Sequence, residues 1–270
     1  MFTLLTILKN KNSLCDYIKA LNANKGKSLR EWLNYARSIC DGLPSEENML
    51  AQLVSEKSAK DKGLVGKIIE YGFFGQKPNS DSSPDIIALK CDIKSCAFKL
   101  FKKIGKNAKE RQTLTNVGNT KNYDSFQNIL DHEHFETCSY YAKSSQFLIC
   151  IRDDDKKKMK TVEELMNQPM LLIVFVELET LPLEMRTIIN SDYENIRQCV
   201  LEKRVSQKGQ KYLHIHTHGA GHGSGNRAFG FTSSFITRVV ALQLAELHQK
   251  KLEDILIESG KSISIKHEYL

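Results

Sequence analysis

Between Ser83 and Lys94 the chain reads SPDIIALKCDIK, with Asp85 and Asp92 seven positions apart and Lys94 two beyond Asp92. These residue types could hydrolyse a phosphodiester bond. Two carboxylates hold Mg²⁺ through oxygen ligands. The cation neutralises charge on the scissile phosphate and helps generate hydroxide. A lysine beside that phosphate orients the attacking water and stabilises the charge that develops. Geometry decides whether the three side chains meet. Side chains alternate along a strand, so Asp92 and Lys94 share a face and Ile93 points the other way, into a core. Asp85 is separated from Asp92 by an odd number, and one unbroken strand would put them on opposite faces. A turn near Leu89–Lys90 would bring both carboxylates together, with Lys94 a few ångströms away. Taken alone, the same residues also suit a solvated surface hairpin.

Upstream, GLVGKIIEYGFFG at 63–75 reads as a helix closed by glycine. Glu70 interrupts its apolar face of Val65, Ile69 and Phe73, and a carboxylate there is costly to bury without a partner.

Together these stretches resemble a known family: MutH and its relatives among the GATC-cleaving type II restriction endonucleases. The family's D-K-G-x-x-G-x-x-x-E block is met at Asp61 to Glu70, and its D-x₆-E-L-K block at Asp85 to Lys94. The span from Pro84 to Lys94 also fits the PD-(D/E)xK nuclease signature. KERQTLT at 109–115, DYENIRQCVLEKRVSQKGQKYLHI at 192–215 and RAFGFTSSFITRVVALQL at 227–244 are similar to later family segments. The likeness covers most of residues 60–245. It implies a restriction-endonuclease-like α/β fold, with a central mixed sheet flanked by helices and arms that embrace duplex DNA. It implies Glu70, Asp85, Asp92 and Lys94 as catalytic residues, with Asp85, Asp92 and Glu70 on Mg²⁺. Lys62, Lys109, Arg111, His216, His218 and Arg227 would touch DNA. The implied activity is site-specific, Mg²⁺-dependent cleavage at GATC, leaving 5′-phosphate and 3′-hydroxyl ends. A strand-nicking repair endonuclease and a silent DNA-binding relative are the alternatives. Asp92 departs from the family's glutamate, keeping the charge on a shorter arm. With one candidate site per chain, cutting both strands needs a homodimer on DNA or successive nicks.

HIHTHGAGHGSG is the other conspicuous stretch. His214, His216 and His218 would share one face of a strand. Three readings stand beside each other. By resemblance, His216 to His218 fall where the family carries a base-contacting R-P-K tripeptide. A glycine-rich loop with exposed histidines is the second. Transition-metal binding is the third, since neutral imidazoles ligate zinc. Histidine lacks arginine's bidentate contact to guanine, and Gly230 stands where MutH has a tyrosine.

The resemblance implies one endonuclease domain, with residues 1–60 as a helical N-terminal arm, 61–178 as a catalytic core and 179–270 as a DNA-recognition portion. The elements that must position these groups follow from periodicity. SLREWLNYARSI places Leu29, Trp32, Leu33 and Ala36 on one helical face. MLLIVFVEL at 170–178 suits a central strand buried on both sides. Ser191 and Glu194 form a capping-box pattern opening a helix. SSFITRVVALQLAELHQKKLEDILIE reads as one long amphipathic helix. Lys99, Lys102, Lys103 and Lys106 would line one face if helical and grip phosphates.

The 270 residues are 41% hydrophobic and 26% charged, ordinary for a globular chain, and the net charge of +7 favours an acidic partner. Seven cysteines without a C-x-x-C pair argue for reduced thiols and against a disulfide framework. No apolar run approaches the roughly 18 residues of a membrane span. No signal peptide is read, and a cytoplasmic, membrane-free protein is expected.

Overall fold

The computed structural model describes residues 1–54, 63–78, 83–102, 104–154, 161–205, 209–219, 224–260 and 262–270. The chain is mixed α/β and divides into two compact units. One comprises residues 1–106 and 147–175 with Leu270, and the other residues 107–146 and 176–269.

The first unit is built on helices Lys11–Asn22, Leu29–Ile39 and Leu64–Phe74. The second of these opens with a capping box between Ser28 and Glu31, and it buries the face expected from its periodicity: Leu29, Trp32, Leu33 and Ala36. Helix Leu64–Phe74 buries Ile68, Ile69, Phe73 and Phe74 completely, each contributing about 1.5–3 kcal/mol by removal from water. It ends as expected at Gly75, whose left-handed backbone (φ 61°) glycine adopts without strain. Two large buried side chains in this core have their polar tips satisfied. Trp32 Nε1 donates to the Asn24 carbonyl at 2.7 Å, and the Tyr17 hydroxyl to the Phe73 carbonyl at 3.0 Å.

Three strands of this unit lie in the order Cys91–Phe101, Gln146–Asp154, Met170–Glu177. The last is buried along most of its length, as its apolar run suggests, but it ends the sheet rather than lying at its centre. Its free edge is covered by groups that replace a neighbouring strand. Asn22 accepts from Ile173 N at 2.7 Å and donates to the Ile173 carbonyl at 2.9 Å. Gly26 N donates to the Met170 carbonyl, and Met170 N to the Lys27 carbonyl. The apolar run records burial, which a covered edge supplies as well as a centre does.

The second unit holds a three-stranded antiparallel sheet in the order Gln112–Asn119, Asn226–Phe231, Leu213–Thr217, with an antiparallel hairpin of Leu256–Ser259 and Ser262–Lys266. Helix Leu183–Leu201 begins after Pro182, so Ser191 and Glu194 lie inside it and the expected capping box does not form. The buried positions Met185, Ile189, Tyr193 and Ile196 carry the helical period straight through that pattern. Helix Ser233–His248 is shorter than expected. It stops at Gln249 in left-handed backbone, and LEDI and LIES form a short helix and a strand. Lys250 N closes the end on the Ala245 carbonyl at 2.9 Å. The lysine stripe is not helical either. Lys99 lies in strand Cys91–Phe101, Lys102 in the turn after it and Lys106 in strand Gly105–Ala108. Lys106 pairs with Asp153, and Lys103 lies outside the described residues. All seven cysteines are free. No described helix is long and apolar enough to cross a membrane.

Candidate active site on the Asp85–Lys94 hairpin

The turn expected between the two aspartates is present. Ile86 and Cys91 form an antiparallel bridge, with Ile86 N on the Cys91 carbonyl at 2.9 Å and Cys91 N on the Ile86 carbonyl at 3.2 Å. A 3₁₀ turn at Ile87–Leu89 and a left-handed Lys90 (φ 50°) reverse the chain between them. Reversal lets Asp85 reach back along strand Cys91–Phe101, where its Oδ2 accepts from Ile93 N at 2.7 Å. Ile93 is buried, as alternation requires.

Asp92 and Lys94 point the same way and form an ion pair. Asp92 is only 2% exposed, so its charge leaves water in the folded chain and Lys94 compensates it. Burial pushes the Asp85 carboxyl up to about 7, with Asp92 and Glu70 adding repulsion and the Ile93 N–H opposing. Burial likewise raises Glu70, partly offset by Lys94 and reinforced by Asp92. Glu70 reaches the group from helix Leu64–Phe74, whose neighbouring Ile69 and Phe73 anchor it in the core. The four residues named from sequence thus act on one another electrostatically within one unit.

Packed carboxylates that raise one another's affinity for protons form a site that a cation would relieve. Among the described residues no three His, Cys, Asp or Glu side chains converge closely enough to cage a metal ion alone. Mg²⁺ does not need such a cage, because it usually keeps several waters and takes one or two protein carboxylates. Asp85 and Asp92 fit that demand, with Glu70 beside them.

The residues named for DNA contact are placed less uniformly. Lys109 and Arg111 are exposed, and Arg227 is half-buried, with Nη1 donating to the Ser224 and Asn226 carbonyls. Lys62 lies outside the described residues. His216 overturns its expectation. It is 1% exposed and cannot reach DNA from this position. Its ring lies over Gly230, where an added Cβ would stand 2.9 Å from Nε2. Thr113 Oγ1 is 3.4 Å from the same nitrogen, and the Thr217 carbonyl 3.0 Å from Nδ1. His214 packs beside it, with ring centroids 5.0 Å apart, and is also buried. His218 remains half-buried at the end of the strand.

Burial holds both inner histidines neutral. His214 is pushed down to about 4 by burial, with His216 and Arg111 adding to the shift. His216 is also lowered, by burial first, against the Thr217 carbonyl. A base whose folded pKa lies below its unfolded value gives stability that is lost as pH falls between the two. The expected loss from His214 between pH 6.5 and 4 is about 2 kcal/mol, allowing for partial solvent screening. Denaturant unfolding across that range should show the drop, and His214→Leu should flatten it. Equal pH slopes in both proteins would exclude His214 as the cause.

One residue was not singled out from sequence. Asp192, on the buried side of helix Leu183–Leu201, accepts three successive backbone N–H groups: Lys211 at 2.8 Å, Tyr212 at 2.5 Å and Leu213 at 2.9 Å. It ties the helix to the start of strand Leu213–Thr217. Its signal was an aspartate on the Met185, Ile189, Tyr193 face.

No protein-family model matches the chain. It is 26% identical over 230 residues to the type II restriction enzyme Sau3AI of Staphylococcus aureus, an alignment covering 75% of this chain and 44% of that protein. The matched region therefore spans less than half the length of the relative. The similarity supports a restriction-endonuclease-like relationship at most.

Proposed function

We propose that this chain is an endonuclease that hydrolyses phosphodiester bonds in duplex DNA with Mg²⁺, and that its target is GATC. The observation that carries the reading is the hairpin, where Asp85 reaches back to the strand that carries the Asp92–Lys94 pair, with Glu70 acting on them from helix Leu64–Phe74. Similarity to a type II restriction enzyme makes DNA the natural substrate. The GATC target comes from the sequence resemblance.

In this reading Asp85 and Asp92 hold the cation, and Glu70 adds negative charge behind them. Mg²⁺ when bound supplies Lewis-acid charge and a more acidic water. Lys94 already stands beside Asp92, so its ammonium is placed before substrate arrives and costs little reorganisation to use. It orients the attacking water and offsets charge on the phosphate. Lys109, Arg111, Arg227 and His218 are the remaining candidates for DNA contact. Two copies on DNA, or successive nicks, would cut both strands.

Cation binding must displace the proton that the carboxyl group retains near neutral pH. With Asp85 at about 7, affinity should rise with pH and level off above that value. Ca²⁺, used to avoid turnover, is expected to bind about tenfold more tightly at pH 8 than at pH 6. Calorimetric titration at both pH values measures this, and equal affinities would remove Asp85 from the cation site.

Target choice is tested with two duplexes of equal composition, one carrying GATC and one with those four bases permuted. Cleavage of the first alone supports the assignment. Equal cleavage of both rejects GATC and leaves the endonuclease chemistry standing.

A further inference from the structure

The hairpin tip carries features that holding Asp85 in place does not require. Ile87 is 73% exposed, and Ala88 and Lys90 are exposed as well. A single exposed apolar side chain is ordinary on a surface. This one sits on a tip locked by four backbone hydrogen bonds: the Ile86–Cys91 pair, Leu89 N to the Ile86 carbonyl at 3.2 Å and Lys90 N to the Ile87 carbonyl at 3.1 Å. Leu89 packs against the core beneath. Lys90 occupies left-handed backbone (φ 50°, ψ 37°), a conformation that glycine or asparagine fills with less strain. A lysine there places a cation two residues before Asp92, at a cost to the turn.

We propose that the tip, Ile87 to Lys90, is a contact element for duplex DNA, with Lys90 binding a backbone phosphate next to the cleavage site and Ile87 lying against the neighbouring sugar. This rests on the endonuclease reading. Asp85 leads into the tip and Asp92 leads out of it, so a phosphate held at Lys90 fixes the distance from the duplex backbone to both carboxylates. The contact is to the backbone, so it sets position and adds no preference for one base over another.

The test uses the full chain and fluorescent duplexes, with binding measured in Ca²⁺ across a salt series and cleavage measured in Mg²⁺. Lys90→Gly is expected to melt no lower than the wild type, because glycine relieves the left-handed position. It should bind about fivefold more weakly, equally on GATC and permuted duplexes, with the log K against log salt slope reduced by about one. Lys90→Arg should retain affinity and slope. Ile87→Ser should weaken binding without changing the slope. A wild type that binds and cuts, beside a Lys90→Gly variant with the same affinity and slope, overturns the role of the tip and leaves the endonuclease reading in place. A wild type that neither binds nor cuts overturns both.

Discussion

Asp85→Asn is expected to abolish cleavage, by at least about 10³-fold, and to make the cation-free protein more stable than the wild type. The two effects have one cause. Asparagine keeps the shape of aspartate, and its carbonyl oxygen can still accept the Ile93 N–H that Asp85 holds at 2.7 Å. What disappears is a charge that burial, Asp92 and Glu70 make costly, as the carboxyl's rise to about 7 records. A carboxyl raised in the folded state lowers stability as pH climbs from its unfolded value toward the folded one. At pH 8 that cost is present in full, and removing it should stabilise the chain by about 1–3 kcal/mol after solvent screening. The variant should also lose its thermal response to Ca²⁺. An aspartate serving only the hairpin would behave otherwise. Its replacement would lower the melting temperature and leave cation response untouched, and that pattern would refute the assignment.

Lys94→Met is expected to lose cleavage by about 10²–10³-fold and, unlike the first variant, to lose stability as well. Lys94 is the ion partner of Asp92, which is 2% exposed. Methionine keeps much of the aliphatic stem but leaves a charged carboxylate buried without compensation. Breaking a buried pair from one side costs about 3–5 kcal/mol when the remaining charge cannot neutralise. A loss in that range is the expected result for the single variant. Adding Asp92→Asn to Lys94→Met should recover stability and leave activity lost. Unfolding curves at pH 8 for the single and double variants separate these effects. A single variant as stable as the wild type at pH 8 would show that the pair carries no buried charge.

Much of the Asp85–Lys94 hairpin was legible in the sequence because its logic is local. The odd spacing of Asp85 and Asp92 demands a turn, and the even spacing of Asp92 and Lys94 demands a shared face. The cap at Gly75 and the Leu29, Trp32, Leu33, Ala36 face depend on local order in the same way. What failed depended on neighbours far along the chain. Strand Met170–Glu177 was read as central because it is apolar, whereas Asn22, Gly26 and Lys27 cover it as an edge. His216 was read as a DNA contact by resemblance, from its place at the family's base-contacting tripeptide, and only its pairing opposite strand Asn226–Phe231 places it over Gly230. The Ser191–Glu194 pattern matched a helix start but fell inside a helix whose beginning Pro182 sets. The turn near Leu89–Lys90 was read, but the left-handed backbone of Lys90 is a property of the folded turn and was not.

The most direct measurement is incubation of the purified chain with unmethylated supercoiled plasmid in Mg²⁺, in EDTA, and in Mg²⁺ with the Asp85→Asn variant, followed by sequencing of every new end. The expected result is cutting by the wild type in Mg²⁺ alone, at discrete positions, with 5′-phosphate and 3′-hydroxyl ends. Plasmid left intact by the wild type at every Mg²⁺ concentration, or cut equally by Asp85→Asn, would contradict a cation-dependent nuclease site on the Asp85–Lys94 hairpin.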